Sequence, residues 1–284
     1  MSRRPQLLGI VNVTEDSFSD GGLHLTPATA LAQARAVAAA GADIVDLGAA
    51  ASNPAAKPVP PALEIARLAP LVEALQNEGI PISVDSFSPE TQIWALGKRV
   101  AFLNDIHGFG WPQIYPRLAA SDAKLIVMHA LNSEGPARRT DETPPDLFGH
   151  ILAFFQKRIA ALTQAGVTGD RLILDPGMGL FLGRRRDASF EILRRISELR
   201  TAFGLPVLVS VSRKSFLRPP GRNPQEAGAA TLAAELFAAS QGVDYIRTHD
   251  SGALRDALGV MEALADGTSP NPSGIRQDYP AIIH

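Results

Sequence analysis

The chain has 284 residues, of which 45% are hydrophobic and 20% charged, with a formal net charge of −2. That balance suits a globular protein with a large core and gives no electrostatic basis for binding nucleic acid or an anionic membrane surface. Cysteine is absent, which excludes disulfides, thiolate nucleophiles and cysteine-ligated metals.

The amino-terminal MSRRPQLLGIVNV places arginines before an apolar run, but the run is short, Pro5 interrupts the basic flank, and the polar NVTEDS follows. It reads as a first strand, not a leader. Runs rich in Val, Ile and Leu then recur at 7–12, 42–48, 81–86, 100–105, 124–129, 171–177, 206–212 and 243–249. Several are nearly continuous hydrophobics, the pattern of strands buried on both faces of a parallel sheet. Alanine- and leucine-rich segments of helical period lie at 27–40, 62–76, 147–165, 188–202, 225–240 and 252–265. Thr26 and Pro27 open the first helix, while Gly41 and Gly166 follow others. No run approaches the ~18 apolar residues needed to cross a bilayer, so a cytoplasmic protein is expected. Residues 131–146 and 217–224 read as excursions. Strand–helix alternation repeated eight times predicts an α/β protein with a (β/α)8 TIM barrel as one domain over residues 1–267. A doubly wound sheet is the competitor. Residues 268–284 contain three prolines and no clear period, and are expected to form a poorly ordered tail.

In such barrels the chemistry sits at the carboxyl ends of the strands. Every predicted strand here ends in a polar residue: Asn12, Asp46, Asp85, Asn104 with Asp105, His129, Asp175, Ser212 with Lys214 just beyond, and Arg247 with His249. A single such residue is often a cap or a turn. Eight on one rim predict a shared pocket. Asp85, Asn104 and Asp175 suit the hydrogen-bonding edge of a heterocycle, whereas Lys214, Arg247 and His249 suit an anion. Asn12 offers one oxygen to a hard cation, which fits a Mg²⁺ that keeps its waters and bridges substrate phosphates. The chain has no GxSxG elbow, no GxxxxGK[ST] loop, no GxGxxG turn after the first strand and no HExxH helix.

The stretches GIVNVTEDSFSDGG (9–22), SVDS (83–86), LNDI (103–106), VMH (127–129), LDPGMG (174–179), VSRKSF (211–216) and IRTHD (246–250) together resemble dihydropteroate synthase, in that family's order. The resemblance implies a pterin-binding TIM barrel that condenses 6-hydroxymethyl-dihydropterin diphosphate with para-aminobenzoate, using Mg²⁺ and forming a homodimer. Asp85, Asn104, Met128, Asp175 and Lys214 match the family's pterin-pocket positions. Asn12, Arg247 and His249 match the diphosphate and Mg²⁺ positions, and Ser215 matches a residue near the para-aminobenzoate carboxylate. Asp85, Asp175, Lys214, Arg247 and His249 would then form the catalytic set. Ser215 is expected to open the helix after strand seven, where the backbone N–H groups favour an anion. Residues 12–24 are expected to close over the site.

Two loops depart from the family's pattern. In DLGAAASNPAAKPV (46–59), Ala50, Ser52 and Asn53 stand where an acid, a threonine and an arginine are usual. After strand six, GMGLFLGRRR is longer than usual and apolar at Phe181. These features resemble the sulfonamide-insensitive Sul-type branch. They imply that Ser52, Asn53, Phe181, Lys214 and Ser215 surround the para-aminobenzoate site, with Phe181 excluding the bulkier drug by steric conflict. The alternative for Phe181 is a packing role under its own loop. Arg184, Arg185 and Arg186 read as solvated, Asp187 as the cap of the next helix, His107 as exposed, and His129 as held by backbone. Two other functions stay open: a pterin-binding homologue without catalysis, and a methyltetrahydrofolate:corrinoid methyltransferase.

Overall fold

The structure, a computed structural model, describes residues 4–14, 26–50, 58–131, 143–183, 185–218 and 223–266. Residues 268–284, Ser52, Asn53, Arg184 and most of loop 12–24 therefore lie outside the described residues.

All eight expected strands form: β1 (Gln6–Asn12), β2 (Ile44–Gly48), β3 (Ile82–Asp85), β4 (Phe102–Asp105), β5 (Lys124–Met128), β6 (Leu172–Asp175), β7 (Leu208–Val209) and β8 (Tyr245–Thr248). They lie parallel in the order β6-β5-β4-β3-β2-β1-β8-β7. A bridge between Leu174 and Val207, with the Leu174 N–H donating to the Pro206 carbonyl at 2.9 Å, joins β6 to β7 and closes the barrel. Sequential order and closure exclude the doubly wound sheet, which would leave two open edges. β7 is shorter than its sequence suggests. Beyond it the chain bends, with Lys214 N–H donating to the Val211 carbonyl and Arg213 at a φ of +58°.

The helices are α1 (Pro27–Ala39), α2 (Pro61–Asn77), α3 (Pro89–Gly97), α4 (Tyr115–Ala119), α5 (Leu147–Gln164), α6 (Arg186–Arg194), α7 (Ile196–Phe203), α8 (Gly228–Ser240) and α9 (Ser251–Asp266). Thr26 caps α1 as expected, its hydroxyl accepting the Thr29 N–H at 3.2 Å. α3 and α4, absent from the expected helices, have too few turns to display a clear helical period. The single helix expected over 188–202 is broken at Arg195, whose guanidinium stacks 3.8 Å from the Phe148 ring and pairs with Glu198.

Strand residues alternate between two apolar environments. Leu7, Val11, Val45, Leu47, Val84, Leu103, Val127, Leu174, Val209 and Ile246 belong to the main core, on the side of the barrel wall that the helices cover. Leu8, Ile44, Phe102, Ile126, Ile173, Leu208 and Tyr245 form a second buried cluster, which fills the barrel interior.

Candidate active site

The same alternation places the site. Counting two residues forward from Ile44, Phe102, Ile126, Ile173 and Tyr245 on the inner face gives Asp46, Asn104, Met128, Asp175 and Arg247. Register adds the neighbours: Asn12 stands beside Gly48, Gly48 beside Asp85, Asp85 beside Asn104, and Met128 beside Asp175. A Cβ on Gly48 would lie 3.7 Å from both Asn12 Oδ1 and Asp85 Oδ2, so those two side chains flank one spot on the rim. Asn12, Asp85, Asn104, Met128, Asp175 and Arg247 therefore meet at the barrel mouth.

The polar strand-end residues of opposite parity face outward and hold the wall. Asp105 accepts the backbone N–H groups of His107 and Phe109 and a side-chain N–H of Gln92. It thereby fixes a tight turn in which Gly108 and Phe109 take positive φ. His129 bonds through Nδ1 to the Pro176 carbonyl at 3.1 Å, so it is held by backbone as expected. Burial pushes its pKa down to about 4. His107 corrects its expectation: it is buried, its ring edge-on to Phe87 at 5.5 Å.

Arg247 spans the mouth. Its Nε donates to Asp46 Oδ2 at 2.6 Å and its Nη2 to Asp85 Oδ2 at 2.7 Å. Burial, reinforced by the nearby Asp46, Glu64 and Asp105 and opposed by Arg247, pushes Asp85 up to about 7. Asp175 is 2% exposed and accepts the Gly177 N–H at 2.8 Å; burial still raises it to about 6. Asn104 Oδ1 is buried without a hydrogen-bond partner among the described residues. An orphaned acceptor of this kind is costly unless a ligand satisfies it.

His249, grouped with Lys214 and Arg247 as suited to an anion, does not bring a positive charge. Burial, with Arg213, Arg247 and Lys214 nearby, lowers it to about 3, so at neutral pH the ring is uncharged. Its ring orientation follows from Ser212. That hydroxyl accepts the His249 backbone N–H at 3.1 Å and lies 2.9 Å from Nδ1. A hydroxyl oxygen can accept two hydrogen bonds, so Ser212 either donates to Nδ1 or accepts from it, and in both cases it fixes the plane of the ring. Ser212 and Asp46 read in the sequence as strand endings only, and neither carries a signal of a role in the site. Both carry their role through a partner remote in sequence.

Lys214 and Phe181 come together. Lys214 Nζ donates to the Met178 carbonyl at 3.0 Å and lies 4.8 Å from the centre of the Phe181 ring. Burial lowers Lys214 to about 8. Phe181 sits in a short 3₁₀ turn, Gly179–Leu182, whose Leu182 enters the core while Phe181 is only half-buried. Two glycines make the approach possible. A Cβ on Gly177, at φ +71°, would meet the His129 carbonyl oxygen at 2.3 Å, and one on Gly179, at φ +68°, would crowd Lys214 at 3.3 Å.

Two terminus expectations fail. Ser215 is exposed and opens only a three-residue 3₁₀ turn, Ser215–Leu217, because α8 does not begin until Gly228. Three residues align too few peptide dipoles to make a strong anion site. Asp187 does not cap α6: it lies inside the first turn, and its carboxylate pairs with Arg185 at 2.6 Å. Arg186 donates to the Phe216 carbonyl at 2.8 Å, tying the loop after β6 to the loop after β7.

A family model described as pterin binding enzyme matches residues 8–249. A dihydropteroate synthase type-2 of Escherichia coli is 55% identical over 94% of this chain and 98% of its own length. A dihydropteroate synthase type-3 of the same organism is 48% identical over 91% of this chain and 99% of its own length. Among solved structures, the Xanthomonas albilineans dihydropteroate synthase with 4-aminobenzoic acid is 34% identical, with a TM-score of 0.83 over 92% of this chain and 93% of that one. The Yersinia pestis dihydropteroate synthase in complex with a sulfonamide drug is 32% identical, with a TM-score of 0.83 over 94% of this chain and 98% of that one.

Proposed function

This chain belongs to the dihydropteroate synthase family of pterin-binding enzymes, and from that premise we propose how its barrel mouth performs the reaction. The protein is a transferase of folate biosynthesis, condensing 6-hydroxymethyl-7,8-dihydropterin diphosphate with para-aminobenzoate to give 7,8-dihydropteroate and diphosphate.

The observation that carries the assignment of roles is the inward ring of Asp85, Asn104 and Asp175 set against Arg247. Asp85, Asn104 and Asp175 take the polar edge of the pterin, with Met128 packed on its face. The unpartnered Asn104 Oδ1 accepts a pterin N–H. When the carbon–oxygen bond to diphosphate breaks, the positive charge left on the pterin is shared with its electron-rich ring. Asp85 and Asp175 stabilise that charge. Arg247 attracts the departing anion as a full cation, with the uncharged His249 ring beside it. The aniline nitrogen of para-aminobenzoate then attacks the cation (an SN1-like route). Lys214 stands between the two substrates.

Mg²⁺ fits the residues present in a limited way. No group of three or more His, Asp or Glu placed to hold a metal occurs among the described residues, but Asn12 presents its oxygen at the exposed end of β1. One protein oxygen suits a cation that keeps most of its waters. Asn12 would hold it, and when bound it supplies countercharge to the diphosphate.

Phe181 and Ser215, with Ser52 and Asn53, are the proposed surroundings of para-aminobenzoate. Phe181 narrows that site and gives tolerance to sulfonamides. Its ring lies against Lys214 and only partly in the core, which favours a wall of the site over packing beneath its own loop. A homodimer is proposed through α8 and α9, which pack together and leave Phe237, Val260 and Leu264 exposed. No described helix is long and apolar enough to cross a membrane, and a cytoplasmic location is proposed. The decisive assay is diphosphate release from the pterin diphosphate. Release that depends on para-aminobenzoate is expected, and its absence would leave a binding-only homologue.

A further inference from the structure

We propose that Asp46 is the positioning residue that orients Arg247 toward the diphosphate and leaves Asp85 able to serve the pterin. The inference rests on the reading of the site given above and adds a residue to it.

The geometry carries the argument. Asp46 stands on the inner face of β2, one alternation below the rim, and is fully buried. Its Oδ2 takes Arg247 Nε at 2.6 Å, while Asp85 Oδ2 takes Nη2 at 2.7 Å. Two carboxylates from adjacent strands therefore hold the planar guanidinium through Nε and Nη2. No described residue is bonded to Nη1, which remains available to an anion. A guanidinium held at two nitrogens in this way is oriented before substrate arrives.

The division of labour between the two carboxylates follows from position. Asp85 is at the rim beside Asn104, where a pterin edge would lie; Asp46 is a layer deeper and out of its line. If Asp85 were the sole partner of Arg247, turning toward the pterin would release the guanidinium and leave a buried cation unpaired. With Asp46 retained, Arg247 stays anchored while Asp85 exchanges its contact. Asp46 Oδ1 and the neighbouring Ser83 Oγ are also buried without partners among the described residues. Packing therefore does not explain a carboxylate at this depth; its one polar contact is Arg247.

The test uses Asp46→Asn in the full chain, which keeps the volume and an acceptor oxygen but removes the charge. Steady-state kinetics are measured for each substrate, together with the affinity for inorganic diphosphate by calorimetry. The expected result is a drop of about 10- to 100-fold in kcat/KM for the pterin diphosphate. Diphosphate should bind about tenfold more weakly, as for a misplaced charge-assisted donor, while the KM for para-aminobenzoate holds within about twofold. A merely structural role would lower the amount of active protein without separating the two substrates. The proposal is overturned if the folded variant keeps its kinetics for the pterin diphosphate, or if both substrates weaken equally. Should Asp46→Asn not fold, Asp46→Glu retains the charge, and unchanged diphosphate affinity despite its shifted carboxylate would equally overturn it. Wild-type protein assayed in parallel separates the two readings: no para-aminobenzoate-dependent release there defeats the functional reading, not this one.

Discussion

Ile173 and Asp175 lie two residues apart on β6, face the same barrel interior, and are 1% and 2% exposed. Ile173 joins Leu8, Ile44, Phe102, Ile126, Leu208 and Tyr245 in a plug whose one polar group is the Tyr245 hydroxyl, which accepts from Lys124 Nζ at 3.3 Å. Asp175 joins a layer whose carboxylates are pushed up by burial and whose histidine is pushed down. Over about 7 Å of strand, the interior changes from a region where burial stabilises the fold to one where burial costs stability. The lower layer lets the upper one exist: the apolar plug supplies the rigidity and dryness that make the rim's charges strong.

Mutations on either side of that boundary should separate cleanly. The largest effect is expected from Asp175→Asn, which removes a buried charge and one acceptor. Its kcat should fall by about 10²–10³, while the thermal midpoint stays level or rises, because a desolvated carboxylate is gone. Calorimetric scans beside steady-state kinetics would decide it, and a large loss of stability would erase the contrast. Ile173→Ala should do the reverse, costing about 2–5 kcal/mol by urea unfolding as the plug loses volume. Its activity per folded molecule should stay close to that of the parent.

Phe181 tests how far the rim extends toward the second substrate. Phe181→Gly should tighten inhibition by sulfamethoxazole about tenfold, in line with the 1–3 kcal/mol that shape discrimination commonly provides. The KM for para-aminobenzoate should change little. Unaltered inhibition would return Phe181 to a packing role.

The smallest expected effect lies behind the rim. Glu235 on α8 is 2% exposed, and burial raises it to about 8, with a hydrogen bond from Thr248 opposing. Its folded-state pKa exceeds the ordinary carboxyl value, so the folded protein holds a proton that the unfolded chain releases. Stability from this group is fully present below about pH 4.5 and is lost as the pH rises through about 8. Glu235→Gln should therefore be no more stable than the parent at pH 5 but more stable at pH 8. Thermal midpoints should differ there by about 2–4 °C for each kcal/mol recovered. Parallel curves at the two pH values would contradict the assignment.

Much of this was legible in the residues. The eight apolar runs marked the strands, and period-two alternation carried through them brings Asp85, Asn104, Met128 and Asp175 onto one face. Short elements were the weak point. α3 and α4 have too few turns to advertise a helix, and nothing local announces that β7 stops after two residues or that Ser215 opens a 3₁₀ turn. The polar residues that proved structural, Asp105 and His129, differ from the site residues by one position of strand parity. That parity was readable but is easily lost where a strand end carries two polar residues in a row.

By itself the sequence determined the strand–helix alternation, the polar rim and the family to which the chain belongs, because periodicity and motif order are local properties of the chain. Only the tertiary structure decided what those groups are to one another. Arg247 meets carboxylates 201 and 162 residues away. His249 is neutral because burial and its cationic neighbours hold the proton off, and Phe181 lies against Lys214 because two loops converge. Charge state and orientation depend on dielectric surroundings and on partners that the closing of the barrel brings together.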